Sequence, residues 1–285
     1  MRDAAAGSGA FVPASGAFVP ASGSFVPASR RWADLSGASL NSVLTQRSIA
    51  VVPVGAIEHH GPHLPLSTDA LIAEAVASAA VDRAAADGID VWLLPTVSYA
   101  KSDEHHWAAG TIWLEGTTVL DTLTQLGRSV SETPARTIVF VNGHGGNTML
   151  LGWVNREVRR RFGLRSFSMP STAVPAGDGR DGRPDELGQG IHAGFAETSI
   201  VMHLAPHLVA PELPPRNVPE RIAALTHIGF NGKPVMFGWT SDDFGPTGVI
   251  GDPTGANAAH GGVLFDQAVG FVSAALAEID GFVFG

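Results

Sequence analysis

The chain contains no cysteine. Disulfides and thiolate metal sites are therefore excluded, and any metal must be held by imidazole and carboxylate. Charged residues are scarce at 16%, and no basic run offsets the net charge of −9. Neither nucleic acid nor an anionic membrane is an expected partner for such a surface. No stretch approaches the ~20 apolar residues of a membrane span. The N-terminus also lacks a basic region leading into an unbroken apolar stretch, so no secretory signal is read and the default location is cytoplasmic. Core material, by contrast, is plentiful. Hydrophobic residues make up 45% of 285, which suits one large α/β domain, or a domain with an appendage.

The appendage is at the start. Residues 9–29 repeat Gly-Ala-Phe-Val-Pro-Ala-Ser twice and then run Gly-Ser-Phe-Val-Pro-Ala-Ser. A proline in every unit excludes continuous helix, and three such units are too few for a solenoid. Residues 1–30 read as a low-complexity leader dispensable for catalysis; the rival reading is a docking tail that presents its Phe-Val pairs. Residues 31–285 read as a single catalytic domain.

Within it, strand, polar loop and helix recur. Strands are expected at Ile49–Val54, Asp90–Val97, Thr137–Val141 and Arg165–Met169. Helices are expected at Leu40–Gln46, Ala70–Ala86, Thr117–Val130, Thr148–Arg161, Glu197–Leu204 and Ala258–Ile279. Residues 175–184 read as loop, and residues 244–255 as a run of turns. The Ile49 and Thr137 strands are apolar throughout, as strands buried on both faces are. The pattern is βαβ, giving an α/β fold with a mostly parallel sheet covered on both sides.

Seven of the eleven histidines fall in four polar loops at 58–69, 102–106, 142–147 and 192–198, and loops that leave parallel strands are where α/β enzymes carry their working groups. In the first loop Glu58, His60 and Asp69 are candidate ligands, Asp69 able to bridge two ions. His59 alternates with His60 on extended chain and should point the other way; His63 reads as structural. His144 stands between glycines after an apolar strand, where ions can approach closely. Its Gly-Gly neighbours could also make an oxyanion hole, but no Gly-x-Ser-x-Gly nucleophile motif accompanies them. A dinucleotide fingerprint fails at Thr148, and no P-loop Gly-Lys-Ser/Thr exists. Glu197 either favours a helix dipole or ligates, with His192 beside it as proton shuttle. Ser102, Glu104 and His105, with Gly145, read as substrate-pocket residues.

Gly55-Ala56-Ile57-Glu58-His59-His60-Gly61-Pro62-His63-Leu64-Pro65, Thr68-Asp69, Asn142-Gly143-His144-Gly145-Gly146-Asn147 and His192-Ala193-Gly194 with Glu197-Thr198-Ser199 together resemble the creatininase (creatinine amidohydrolase) family. Ser102-Asp103-Glu104-His105 and Gly248-Val249-Ile250-Gly251-Asp252-Pro253-Thr254 are similar to its accompanying signatures. The resemblance runs in the family's order from about Val51 to Gly262. It implies a three-layer α/β/α sandwich, a symmetric homo-oligomer (a hexamer) and two divalent metal ions per subunit, zinc, manganese or iron(II). By that pattern Glu58, Asp69 and His144 hold one ion and His60, Asp69 and Glu197 the other. Such a pair activates water near neutral pH and polarises a carbonyl, while His192 passes a proton to the leaving nitrogen.

Two positions depart from creatininases proper. Gly146 stands where those enzymes carry a glutamate, so the second ion depends on Glu197, as in the wider family. Phe195 stands where many relatives carry a glutamate. The expected activity is metal-dependent hydrolysis of a non-peptide C–N bond in a small cyclic or linear amide. Family members also trim modified peptides, as in mycofactocin maturation, which makes a peptidase the alternative, beside a C–C hydrolase on the same centre. A non-catalytic metal- or ligand-binding protein is the remaining rival.

Overall fold

The computed structural model describes residues 29–172, 178–180, 182–230 and 232–284. The leader up to residue 28 and part of the loop expected at 175–184 lie outside the described residues. Four strands, β1 (Ile49–Val54), β2 (Val91–Leu93), β3 (Thr137–Asn142) and β4 (Arg165–Pro170), form one parallel sheet in the order β2-β1-β3-β4. Ile49 pairs with Val91 on one side and Thr137 on the other, and Thr137 pairs with Arg165. Every residue of β1 and β3 is buried, because these two strands are central and covered on both faces.

Alternation along the strands divides the core in two. Ile49, Val51, Val139 and Val141 face a cluster completed by helices α2 (Thr68–Ala86), α5 (Phe195–Leu204) and α7 (Ala258–Gly281). Ala50, Val52, Val54, Ile138 and Phe140 face the opposite cluster, built with Val119 and Leu123 of α3 (Gly116–Ser131) and Leu151, Val154 and Val158 of α4 (Thr148–Phe162). The result is the three-layer α/β/α sandwich. Each fully buried Leu, Val or Phe contributes roughly 1.5–3 kcal/mol by leaving water, so the two apolar faces of the sheet account for its central place.

Element ends follow from local chemistry. A short helix forms at Gly37–Val43, earlier than the sequence suggests, because the Ser36 side chain accepts from the Ser39 N–H and caps it. At the end of α4, Gly163 takes φ 72°, a left-handed turn that glycine adopts freely. The strand expected over Asp90–Val97 is regular only at Val91–Leu93. Opposite it, Pro53 has no N–H to donate; the chain leaves the ladder at Leu94-Pro95 and returns when the Val97 N–H reaches the Pro53 carbonyl at 2.9 Å. Helix α7 has the length and hydropathy of a membrane span, but Leu264, Ala268, Val272 and Leu276 spend that apolarity on the core.

Strand order fixes where a site can form. From β1 the chain crosses through α2 to β2 on one side; from β3 it crosses through α4 to β4 on the other. The loops leaving the carboxyl ends of β1 and β3 therefore part in opposite directions and open a crevice between them, the switch point at which open α/β sheets bind ligands.

Candidate metal centre

The crevice holds the polar loops. Glycines at its floor let the backbone close: a Cβ on Gly55 would lie 2.4 Å from the Ala70 Cα, and one on Gly143 would lie 2.5 Å from the Asp69 carbonyl oxygen. With no side chain at either place, the first turn of α2 drops between the ends of β1 and β3 and delivers Asp69 to the centre.

Asp69 is almost fully buried and reaches two imidazoles with different oxygens. His60 Nε2 lies 3.1 Å from Oδ1 and His144 Nδ1 lies 3.1 Å from Oδ2. His144 Nδ1 is also 3.1 Å from Glu58 Oε2. The far side of His144 is fixed: its Nε2 donates to the Lys101 carbonyl at 2.8 Å. His60 is oriented in the same way, its Nδ1 lying 3.2 Å from the Glu58 carbonyl. Both rings thus turn a nitrogen toward the carboxylates, the arrangement by which ligating histidines are aimed. Glu197 is presented by α5, with Oε2 accepting the Ala193 N–H at 2.6 Å. It groups with His60 and His192, all ligand atoms lying within 4.8 Å of one another, while Glu58, His60 and Asp69 form a second such group.

The electrostatics are those of a site built for a cation. Burial disfavours charge on both Asp69 and Glu58, yet the facing histidines hold both carboxyls below their usual range. Burial also opposes a charged His60 and His144, but the carboxylates override it: His60 is raised to about 10, Asp69 foremost, and His144 well above its ordinary value, Glu58 foremost. Glu197 goes the other way, pushed up to about 7 by burial, then by Asp69 and Glu58 against the pull of His60. His192 is held well below its ordinary value by burial, then by His60 and His105.

The residues fit divalent metal. Glu58 Oε2 and Asp69 Oδ2 are buried without a hydrogen bond, and with the Nε2 proton of His144 committed to Lys101, three electron-rich atoms face one another. Something positive must lie between them, a proton on Nδ1 or a metal ion. The donor set of imidazole nitrogen and carboxylate oxygen, with no thiolate available, suits zinc, manganese or iron(II).

The remaining candidates take different places. His192 and His105 stack at 4.1 Å between centroids. His105 Nε2 approaches Glu58 Oε1 at 3.4 Å while its Nδ1 lies 2.9 Å from the Ser241 hydroxyl, so it touches the centre itself as well as lining the cavity. Glu104 lines the cavity with Oε1 3.4 Å from His144 Nε2, and burial raises its carboxyl. Gly145 also lines the cavity. Ser102 is fully buried behind His144, 3.5 Å from Nε2 and off the cavity wall. His59 turns away, its Nε2 3.0 Å from the Thr247 carbonyl, and His63 lies 2.9 Å from the Thr198 hydroxyl. Phe195 is buried against His260, so a glutamate there would enter apolar packing.

Above the centre opens a cavity of about 810 Å³, walled by Lys101, Phe230, Met236, Phe237 and Trp239. Most of that wall escaped the sequence reading, because the stretch has neither helical nor strand period. The only signal was the unusual density of aromatic residues at 230, 237, 239 and 244.

The creatininase family model, described as creatinine amidohydrolase, matches residues 33–276. A mycofactocin precursor peptide peptidase of Mycolicibacterium smegmatis is 36% identical over 236 residues, covering 78% of this chain and 81% of the relative. The creatinine amidohydrolase of Pseudomonas putida is 29% identical, over 56% of this chain and 66% of that one. A crystal structure of creatinine amidohydrolase superposes with a TM-score of 0.70 at 20% identity, covering 90% of this chain and 100% of the other. Solved creatininases of this fold include zinc–zinc and manganese forms. The chain belongs to the creatininase family of metal-dependent amidohydrolases.

Proposed function

We propose that the protein hydrolyses an amide bond within a peptide, one end of which lies along the aromatic wall while the scissile carbonyl sits at the carboxylate–histidine centre. The size and lining of the cavity carry this reading. Small-molecule clefts span about 300–1,000 Å³, and about 810 Å³ with three aromatic walls is far more than a small cyclic amide fills. The 36% identity to mycofactocin precursor peptide peptidase supports the same reading.

Glu58, Asp69 and His144 would hold one ion and His60, Asp69 and Glu197 the second. Bound there, divalent metal supplies Lewis-acid polarisation of the carbonyl and a water acidic enough to attack near neutral pH. The chain's own groups do the rest. His192 points Nε2 at the His59 carbonyl, 2.7 Å away, which leaves its Nδ1 lone pair turned toward Glu58. A neutral imidazole in that pose accepts a proton at Nδ1 and returns it to the departing nitrogen. Phe230, Phe237 and Trp239 exclude water and hold the remote part of the substrate, binding that pays for orientation at the reacting bond.

A second reading retains the non-peptide C–N bond of a small cyclic or linear amide, supported by the 29% identity to creatinine amidohydrolase. Incubating zinc- or manganese-loaded protein with a peptide panel and with creatinine, and following products by mass spectrometry, separates the two. Metal-dependent peptide cleavage is expected; creatinine opening with every peptide intact would favour the second reading. We place the enzyme in the cytoplasm as a homo-oligomer. Met149 and Trp153, one turn apart on α4 and 72% and 58% exposed, support an interface, and light scattering of the purified protein tests it.

A further inference from the structure

We propose that Glu186, which lies outside the metal centre and outside every motif above, is the positioning residue that sets His192 and Glu197. This rests on the amide-hydrolase reading only for its kinetic consequence. Glu186 is 1% exposed. Its Oε1 accepts two backbone N–H groups from separate segments, Phe195 at 3.2 Å and Asp252 at 2.8 Å. Three glycines make room for it: a Cβ on Gly190, Gly194 or Gly251 would come within 2.8 Å of its carboxylate oxygens. The carboxylate is thus enclosed by three glycines from two loops, none of which could carry a side chain without displacing it.

The two clasped segments carry the working groups. His192 and Ile250 exchange backbone hydrogen bonds at 3.1 and 2.9 Å, so the strand-like piece that ends at Asp252 is the support of His192. Phe195 opens α5, whose first turn presents Glu197. Between clasp and histidine lies Ala193, fully buried with φ 54°, a left-handed conformation that a residue with a Cβ holds only when its surroundings fix it. Its N–H is the donor to Glu197 Oε2. One carboxylate therefore determines the turn in which the proton-transfer imidazole and a ligand carboxylate are both set. Small displacements of such groups cost about 100-fold in rate.

The test uses full-length, metal-loaded protein and two variants. Glu186→Gln keeps an acceptor oxygen in place; Glu186→Asp keeps the charge but is one methylene too short to reach both N–H groups. In Glu186→Asp, hydrogen–deuterium exchange is expected to rise selectively over residues 189–197, with cooperative unfolding unchanged and metal held less tightly, so that kinetics are read at saturating metal. On a peptide the wild type cleaves, kcat is expected to fall about 100-fold at constant KM, and Glu186→Gln should recover most of it. Wild-type exchange over 189–197 in Glu186→Asp would overturn the proposal, as would a kcat unchanged per bound metal. A wild type that cleaves no peptide overturns the proposed function alone, since the exchange measurement needs no substrate. Should Glu186→Asp not fold, Glu186→Gln decides: kcat near wild type supports positioning through the acceptor oxygen, and loss of activity with wild-type exchange overturns it.

Discussion

Replacing Gly146 by alanine should disable the centre without touching a ligand. A Cβ at this position would lie 2.4 Å from His144 Nε2, 2.8 Å from the Lys101 carbonyl oxygen and 2.2 Å from Glu104 Oε1. The first two atoms are the pair whose 2.8 Å hydrogen bond aims His144. Only the glutamate is a flexible end that can retreat; the carbonyl is backbone and the ring is anchored at Nδ1 by Glu58 and Asp69. Overpacking of this kind costs about 1–3 kcal/mol, which in a domain of this size lowers Tm by roughly 2–10 °C. Misaiming a ligating histidine costs about 10–100-fold in metal affinity. Gly145→Ala is the internal control, because a Cβ there meets nothing within 4 Å. Thermal unfolding of the two metal-free variants and a competition titration with a chromophoric chelator measure both effects. Equal Tm and equal affinity in the two variants would refute the reasoning. Gly146→Glu, which installs the glutamate of creatininases proper, should fail in the same way, and adding Glu104→Ala should restore it only in part, since it removes one of three clashes.

Other perturbations separate ligands from walls. Glu58→Gln and Asp69→Asn should each abolish turnover and lower the metal content measured by elemental mass spectrometry, because each removes a buried charge that the cation requires. Phe237→Ala combined with Trp239→Ala should raise KM for a peptide about 10-fold, the order expected for losing roughly 1–2 kcal/mol of apolar contact, while metal content stays unchanged. His63 is held at about 4 by burial and by the neighbouring His60. The unfolded chain therefore binds the extra proton first, so His63 contributes a loss of stability to the metal-free protein as pH falls from about 6.5 toward 4. His63→Leu should flatten that acid limb in a pH series of thermal melts.

How far the sequence speaks depends on where the deciding atoms are. The two central strands were legible because burial on both faces demands apolar residues at every position, and α3 and α4 because one buried stripe leaves a helical period. The end of β2 was not, since it is decided by the missing N–H of Pro53 on the neighbouring strand. Glu58, His60 and Asp69 were legible as a group because they share one loop, and His60 could be preferred over His59 because alternate residues of extended chain face opposite ways. His105 was readable only as a pocket residue. Its approach to Glu58 depends on a hydroxyl at Ser241, 136 residues further along the chain. Glu186 gave no signal at all, because an isolated glutamate in a loop reads as solvated surface until the glycines around it are seen to be its walls.

What converts four scattered loops into one centre is the order of the strands. Had β3 followed β2 outward along the sheet, the His144 loop would leave the sheet two strands away from the Glu58 loop, at least about 9 Å by the spacing of neighbouring strands. No imidazole could then reach Glu58 and Asp69 together. Placing β3 against β1 sets the loops side by side, and sending α2 and α4 to opposite faces keeps the crevice between them open. Gly55 and Gly143 then let Asp69 in from below, and Phe230, Met236, Phe237 and Trp239 wall the cavity above. The candidate ligands are chosen residue by residue, but their convergence is a property of topology. The alternating core positions of β1 and β3 therefore matter to catalysis as much as the histidines: a one-residue slip in their register would turn Val51 and Val139 toward the wrong layer and carry Glu58 and His144 out of reach of each other.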